Sequence, residues 1–142
     1  MYTYIGAGVG FEGIIANVLG ASEVAITDGS AEVLHLADEN IRLNWDSTDG
    51  STVYTGRLRW NTDDEKQYLN KQWDYILAAD VTYLKKNRAD LIATIKHLSS
   101  PTTVTYLSME PRSVDEVCFP NFILHTLQYY AIYCLILLRV CN

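Results

Sequence analysis

The sequence predicts an α/β domain built on a doubly wound, mostly parallel β-sheet. Three observations support this fold class. Short apolar patterns alternate with longer patterns at helix spacing, a glycine-rich turn separates the first strand from the first helix, and Tyr75–Ala79 is the continuously apolar run expected of a strand covered on both faces. Strands that alternate with helices form parallel pairs through right-handed crossovers. The length of 142 residues fits one domain with a substantial core.

The elements follow one another at the spacing that such a sheet needs. A first strand has hardly room to form before the glycine turn Tyr4–Phe11, which suggests a truncated start. After the turn, a helix is predicted over Phe11–Leu19, with an apolar face formed by Phe11, Ile14, Ile15, Val18 and Leu19. A strand over Glu23–Thr27, a helix over Ser30–Asn44 capped by Ser30, a loop over Trp45–Ser51 and a strand over Thr52–Leu58 weakened by Gly56 come next. The last predicted segments are a loop or irregular helix over Asn61–Asp74, the strand Tyr75–Ala79, a helix over Arg88–Leu98 and a strand over Thr103–Met109.

The chain divides into a domain over residues 1–122 and an apolar tail over residues 123–142. The segment Ile123–Val140 approaches the length of a membrane span, for which about 20 apolar residues are needed. A buried strand is favoured instead, because His125 and Gln128 interrupt the first third of the segment. A tail that is not native to this fold is the third interpretation.

Charge and cysteine content restrict the possible partners and the compartment. With 11 basic and 17 acidic residues, the formal net charge of −6 argues against nonspecific nucleic-acid binding and favours attraction of a basic peptide. The three cysteines, Cys118, Cys134 and Cys141, show no metal or disulfide spacing, so we expect reduced thiols and a cytoplasmic location, with the nucleus as a further possibility. The three histidines are far apart, and we assign no metal.

The glycine turn and the following strand together predict a nucleotide or nucleoside site. Glycines let backbone amides approach a ligand closely, and a helix N-terminus behind such a turn favours polar or anionic groups. Asp28 follows the second strand, where a carboxylate holds a ribose diol in doubly wound folds. Phe11 occupies the position of the third glycine in the dinucleotide fingerprint, which disfavours NAD.

Four motifs in register resemble the seven-strand S-adenosylmethionine-dependent methyltransferases. They are Ile5–Gly10, Thr27–Gly29, Leu58–Trp60 and Ile76–Tyr83. More narrowly, the chain is similar to methyltransferase family 16, whose members methylate lysines of calmodulin, elongation factors and chaperones, with related fungal proteins described as nicotinamide N-methyltransferase-like. The likeness covers about Ile5 to Phe122 and implies a Rossmann-like fold, an incomplete form of the seven-strand one, and S-adenosyl-L-methionine as the methyl donor.

The resemblance also implies roles for individual residues. Gly6, Ala7 and Gly8 would lie against the methionine part of the cofactor, with Gly10 in the same cofactor-binding turn. Asp28 would bind the ribose hydroxyls, Trp60 would pack beside the adenine, and Ala79 would form the floor beside the sulfonium. The alternative for Trp60 is an ordinary core tryptophan.

Asp80 and Tyr83 match the acidic-x-x-aromatic motif that follows the fourth strand of the family. A carboxylate and an aromatic face can attract and orient a lysine ammonium group, so these two residues are the predicted catalytic pair. A helix cap and simple packing are the alternatives. Val81 and Thr82 stand where enzymes that methylate nucleobases carry paired prolines, so the predicted substrate is a protein lysine and not a nucleic acid.

The chain departs from the family at both ends. Tyr4 stands where the family has an acidic residue that supports cofactor binding, and the sequence after Phe122 stops resembling the family. The remaining length can supply one more strand at most. The alternative to a working N-methyltransferase is therefore a noncatalytic or decayed fragment that keeps the fold.

Overall fold

The computed structural model describes residues 1–45, 50–109 and 131–136. Its strands are β1 Tyr2–Ile5, β2 Glu23–Asp28, β3 Thr52–Arg57, β4 Tyr75–Ala79, β5 Val104–Met109 and β6 Ala131–Ile136. Its α-helices are α1 Phe11–Val18, α2 Ala31–Asn44 and α3 Arg88–Leu98. Two short 3-10 helices span Asp63–Gln67 and Lys85–Asn87. The sheet has the order β3-β2-β1-β4-β5-β6, and each of its pairs is parallel. The predicted α/β, doubly wound fold is confirmed, and the strand order reverses between β1 and β4.

Strand β1 forms at the centre of the sheet, although the sequence predicted hardly any room for it. Its four residues are enough to pair with a neighbour on each side, because Tyr4 is in register with Ile26 of β2 and with Leu77 of β4. The Thr27 hydroxyl adds a bond by donating to the Tyr4 carbonyl at 2.7 Å. The glycine turn therefore starts from a strand that is fixed on both sides.

Helices cover the sheet on both faces. On one face, α1 and α2 bury Ile14, Ala37 and Ile41 against β2, where Val24 and Ile26 are fully enclosed. On the other face, α3 buries its apolar residues, which are Leu91, Ile92, Ile95 and Leu98, against β1, β4 and β5. The predicted bounds of α3 and the Ser30 cap of α2 are confirmed, with Val33 N–H donating to Ser30 Oγ at 3.3 Å.

Helix α1 packs by a different face from the one its apolar spacing predicted. Of the predicted face only Ile14 is buried, whereas Phe11, Ile15, Val18 and Leu19 are 41 to 82 % exposed. The reason is a close approach at Gly13, where a Cβ would lie 2.5 Å from Ile26 Cγ1. The helix docks through its smallest side chain, which rotates the longer apolar residues towards solvent.

Three tyrosines lie side by side on the same sheet face as α1 and α2. The Tyr75 ring stacks on Tyr2 at 4.8 Å and lies 6.1 Å from Tyr106, measured between ring centroids. They come from β4, β1 and β5, and Tyr106 is 38 % exposed.

The apolar tail contributes one described strand, β6, which pairs with β5 from Val104 with Ala131 to Met109 with Ile136. A strand in this segment agrees with the interpretation favoured from the sequence, and the other tail residues lie outside the described ranges. Within residues 1–45, 50–109 and 131–136, no helix combines the length and the apolar character that crossing a bilayer requires.

Gly56 in β3 leaves room for the hydroxyl of a buried tyrosine. A Cβ on Gly56 would lie 2.0 Å from Tyr68 Oη. Tyr68 is 2 % exposed, and its hydroxyl donates to the Arg57 carbonyl at 3.3 Å. The glycine that weakens the strand pattern is therefore required by tertiary packing.

We expect Gly56→Ala to lower the free energy of unfolding by about 1–3 kcal/mol, because the added methyl group displaces the Tyr68 ring. Tyr68→Phe in the Gly56→Ala background should restore part of that loss, since the clashing oxygen is gone. Urea unfolding of the wild type, both single variants and the double variant gives the coupling. Strictly additive effects would show that the two residues do not meet.

We expect the fold to lose stability as the pH rises from about 10 to about 12. Burial raises the pKa of Tyr68 to about 12, with Tyr54 and Asp64 adding to the shift. In the unfolded chain, tyrosine has a pKa of about 10. The stability that neutral Tyr68 contributes is therefore complete below about pH 10 and is lost as the pH rises through its higher folded pKa. Tyr68→Phe should flatten this decline when unfolding is measured between pH 8 and 12, and equal slopes would exclude the tyrosine as its source.

Candidate functional site

A cleft of about 350 Å³ opens at the carboxyl ends of the strands, where the strand order reverses between β1 and β4. In parallel α/β sheets, this position is where ligands bind. The residues that line the cleft end or follow four different strands or precede α3, and they are Gly6, Asp28, Gly29, Leu58, Arg59, Trp60, Asp80, Val81, Tyr83 and Asn87.

Gly6 lies where three segments of the chain meet. Its φ angle is +65°, and a Cβ would lie 2.6 Å from Val81 Cγ1 and 3.6 Å from Trp60 Cζ2. A side chain at this position would be strained by its backbone and would push the Val81 segment away. The loop after β4 can therefore lie against the first turn only because residue 6 is glycine, whereas the distance to Trp60 is an ordinary van der Waals contact.

Asp28 ends β2 with both carboxylate oxygens directed by backbone groups. Gly8 N–H donates to one oxygen at 3.1 Å, and Ser30 N–H donates to the other at 3.0 Å. Each carboxylate oxygen can accept more than one hydrogen bond, so capacity is left for a ligand in the cleft. The glycine turn and the start of α2 thus orient a half-buried acid.

Trp60 forms a wall of the cleft and also packs against the core cluster beneath α3. It is half-buried, so one part of the indole is anchored while another part faces the cleft. The sequence left two interpretations of Trp60 open, a core residue and a residue of the site. Trp60 has features of both, because it packs against the core and also lines the cleft. An aromatic surface fixed in this way suits a flat ring in the ligand.

Asp80 has a left-handed backbone, with φ +51°, and its N–H donates to the Ser108 carbonyl at 2.9 Å. Tyr83, three residues later, is 53 % exposed at the cleft. The loop between them is held by the buried Arg88, whose Nε donates to the Thr82 carbonyl at 2.7 Å. A non-glycine residue in this conformation is uncommon, and such residues concentrate at functional sites.

The structure brings together five of the nine predicted site residues in the lining of the cleft: Gly6, Asp28, Trp60, Asp80 and Tyr83. Gly8 joins them through its bond to Asp28. The other three are not among the lining residues. Ala7 is buried with its N–H on the Thr27 carbonyl, a Cβ on Gly10 would meet Ile26 and Ala37 at 3.2–3.3 Å, and Ala79 packs on the sheet face that carries α1 and α2.

Position 4 supplies packing to the fold. Tyr4 is 3 % exposed within the cluster on the face of α1 and α2, and burial raises the pKa of its hydroxyl. A neutral aromatic side chain therefore occupies the place for which the family resemblance implied a carboxylate.

Phe11 does not fill the glycine turn, because its side chain is 65 % exposed. The close contacts near the turn are made at Gly10 and Gly13 instead.

Sequence reasoning missed half of the lining, which is Gly29, Leu58, Arg59, Val81 and Asn87. The first four directly follow a strand or flank a predicted site residue, so their position after β2, β3 and β4 was an available signal. Asn87 comes from a 3-10 helix that no pattern indicated.

Across the described ranges, His, Cys, Asp and Glu side chains form no group that could hold a metal ion.

The fold and the cleft define a class of protein: an α/β domain with a cleft at the reversal of a parallel sheet, the position where folds of this class bind nucleotides. Two carboxylates and two aromatic side chains converge there, which suits a ligand that carries a diol, a flat base and positive charge. A family model described as lysine methyltransferase matches residues 4–125. The chain therefore belongs to the lysine methyltransferase family, and the family predicted from its motifs is confirmed.

Individual relatives agree with this assignment. The chain is 37 % identical over 95 residues to a calmodulin-lysine N-methyltransferase of Arabidopsis thaliana, covering 66 % of this chain and 31 % of the relative. It is 36 % identical over 108 residues to protein N-lysine methyltransferase METTL21A of Danio rerio, and 33 % identical over 108 residues to EEF1A lysine methyltransferase 3 of Xenopus tropicalis, covering 76 % of this chain and 48 % and 46 % of those relatives. The chain thus spans less than half the length of these three relatives.

Proposed function

We propose that this chain is an S-adenosylmethionine-dependent N-methyltransferase domain whose substrate is a lysine side chain of another protein. The observation that carries the proposal is the convergence of Asp28, Trp60, Asp80 and Tyr83 on one cleft at the switch point of the sheet. Two of its relatives are named for methylation of lysine in calmodulin and in EEF1A. The acidic chain, with its formal net charge of −6, favours a basic protein segment over nucleic acid.

The residues of the cleft fit a nucleoside with a cationic sulfur. Asp28 can accept from the ribose hydroxyls with the lone pairs that Gly8 and Ser30 leave available. Trp60 offers a fixed face to the adenine, and the space above Gly6 is closed by Val81. S-adenosylmethionine would supply a methyl group on a positively charged sulfur, an electrophile that a neutral amine can attack.

The outer rim of the cleft fits an incoming ammonium group. The Asp80 carboxylate attracts the cation, and the Tyr83 ring offers a face against which the aliphatic part of a lysine can lie. Both side chains are exposed, so the proton that the ammonium must lose can pass to water. Orientation of the amine, more than strong basicity, is the contribution that these residues make. A cytoplasmic location is part of the proposal.

We expect Asp28→Ala and Trp60→Ala each to weaken binding of S-adenosylhomocysteine by about tenfold or more, because hydrogen bonds to a charged group contribute about 1.5–3 kcal/mol and aromatic packing is comparable. Isothermal titration calorimetry on folded proteins measures the effect. Asp63→Ala and Trp45→Ala are matched controls, since both residues lie away from the cleft lining. Binding that is absent from the wild type, or equal in all variants, would contradict the proposed cofactor site.

We expect Asp80→Asn combined with Tyr83→Ala to reduce methyl transfer by about 100-fold, because the charge of the carboxylate and the aromatic face that orient the amine are both removed. Asparagine is chosen because it tolerates the left-handed backbone at position 80. The measurement is incorporation of labelled methyl groups into lysines of a cell lysate. Affinity for S-adenosylhomocysteine should change less than about twofold, since the double variant leaves Asp28 and Trp60 intact.

The rival function is a noncatalytic or decayed domain, and the same assay separates it from an enzyme. A wild-type chain that binds the cofactor product but transfers no methyl group would establish the rival. Equal labelling by the wild type and the double variant would instead show that Asp80 and Tyr83 do not act in the reaction.

A further inference from the structure

Trp60 lies between two residues whose backbone N–H groups are both held by carboxylates of one 3-10 helix. Arg59 N–H donates to Asp64 Oδ2 at 3.0 Å, and Asn61 N–H donates to Glu65 Oε1 at 2.7 Å. Asp64 and Glu65 are consecutive residues of the 3-10 helix Asp63–Gln67. The chain is therefore fixed immediately before and immediately after the indole that forms the cleft wall.

Glu65 is the internal member of this pair. It is 5 % exposed, and its Oε1 also accepts from Thr94 Oγ1 at 2.6 Å while its Oε2 lies 2.7 Å from His97 Nδ1. A buried carboxylate is costly unless hydrogen bonds replace its water, and here three groups do so. Since Thr94 and His97 belong to α3, the bonds fasten the segment after Trp60 to a helix of the core.

Asn61 needs this support because its backbone is left-handed, with φ +53°. Its N–H also lies 2.8 Å from Thr94 Oγ1, and its side-chain amide donates to Asp90 Oδ1 at 3.0 Å. Asp90, Thr94 and His97 recur at i, i+4 and i+7, so they form one stripe of α3. That polar stripe of the helix is used to hold a single turn of chain beside the cleft.

Asp64 is the external member of the pair. Its carboxylate accepts from the Arg59 guanidinium at 2.8 and 3.0 Å in addition to the backbone N–H. The hydrogen bonds from Arg59 hold the pKa of Asp64 well below its usual range. The Arg59–Asp64 ion pair is partly exposed and lies on the solvent side of the turn around Trp60.

We propose that Glu65 is a positioning residue for the cofactor site: through Asn61 and Thr94 it fixes the Trp60 ring on the wall of the cleft. The effect on cofactor binding rests on the proposed function, whereas the effect on Trp60 itself does not. The geometry supports an internal anchor of this kind, because Glu65 reaches Asn61 from inside the fold and contacts the backbone next to Trp60 without lining the cleft.

Two measurements test the proposal on the full chain. The first is the indole ¹H–¹⁵N resonance of Trp60 in ligand-free protein, assigned by its loss in Trp60→Phe and compared with those of Trp45 and Trp73, the other tryptophans of the chain. The second is the affinity for S-adenosylhomocysteine, together with kcat and the KM for S-adenosylmethionine. The variants are Glu65→Ala, Thr94→Val and the conservative Glu65→Gln, with Asp63→Ala as the matched control on the same 3-10 helix.

We expect Glu65→Ala to shift the Trp60 indole resonance and increase its mobility, to raise the dissociation constant and the KM by about tenfold, and to leave kcat within about twofold. Thr94→Val should act in the same direction with a smaller effect. Glu65→Gln should remain close to the wild type, because its amide oxygen can still accept from Asn61 and Thr94. Asp63→Ala should change neither measurement.

The proposal is overturned if Glu65→Ala is folded and leaves both the Trp60 resonance and the affinity unchanged. If Glu65→Ala does not fold, Thr94→Val decides by the same two measurements. A wild type that binds no cofactor would refute the proposed function, while the Trp60 resonance in the variants would still confirm or refute the anchor. An equal loss of affinity in Asp63→Ala would point to general destabilisation and would also reject the assignment.

Discussion

The missing side chain of Gly6 is the constraint on which the site depends. Only hydrogen occupies the place where any other residue would meet Val81 Cγ1 at 2.6 Å. Because that place is left open, the loop after β4 can lie against the turn after β1, and the Trp60 ring lies beside the same turn. The cleft exists where these three segments come together, with Asp28 held at its side by Gly8 and Ser30.

Helix α3 supports the two loops that carry most of the site. At its first turn Arg88 holds the carbonyl of Thr82, within the loop that bears Asp80 and Tyr83. Further along, Thr94 and His97 hold Glu65 and, through it, the turn that follows Trp60. The apolar stripe of the same helix is buried in the core. One helix thus sets the distance between the proposed cofactor wall and the proposed substrate rim.

The sequence predicted those parts of the fold that depend on local pattern. The bounds of α3 follow from apolar spacing that ends before Ser99, and Asp28 could be placed because a carboxylate after the second strand has a known geometric role. The orientation of α1 was not predictable from its own residues, since it is set by contact between Gly13 and Ile26 of another element. The packing of Tyr68 under Gly56 depends in the same way on residues distant in sequence.

The contacts of Glu65 show the same limit at the site. Its partners Thr94 and His97 lie about thirty residues further along the chain, 29 and 32 positions away respectively. The sequence predicts only a loop or irregular helix over Asn61–Asp74, and for Arg88–Leu98 it predicts only an amphipathic helix with one apolar side. Neither segment alone indicates that a buried carboxylate joins them, so this part of the site required the structure.

The left-handed backbone of Asp80 has a consequence for the evolutionary history of the chain. At φ +51° the main chain accepts glycine or asparagine as readily as aspartate, and it resists most other residues. Glycine and asparagine are uncharged, so the backbone by itself does not require a carboxylate at position 80. Backbone geometry restricts which residues fit at position 80 but does not require the negative charge, so retention of aspartate among related genes would be a signature of selection on chemistry rather than on folding.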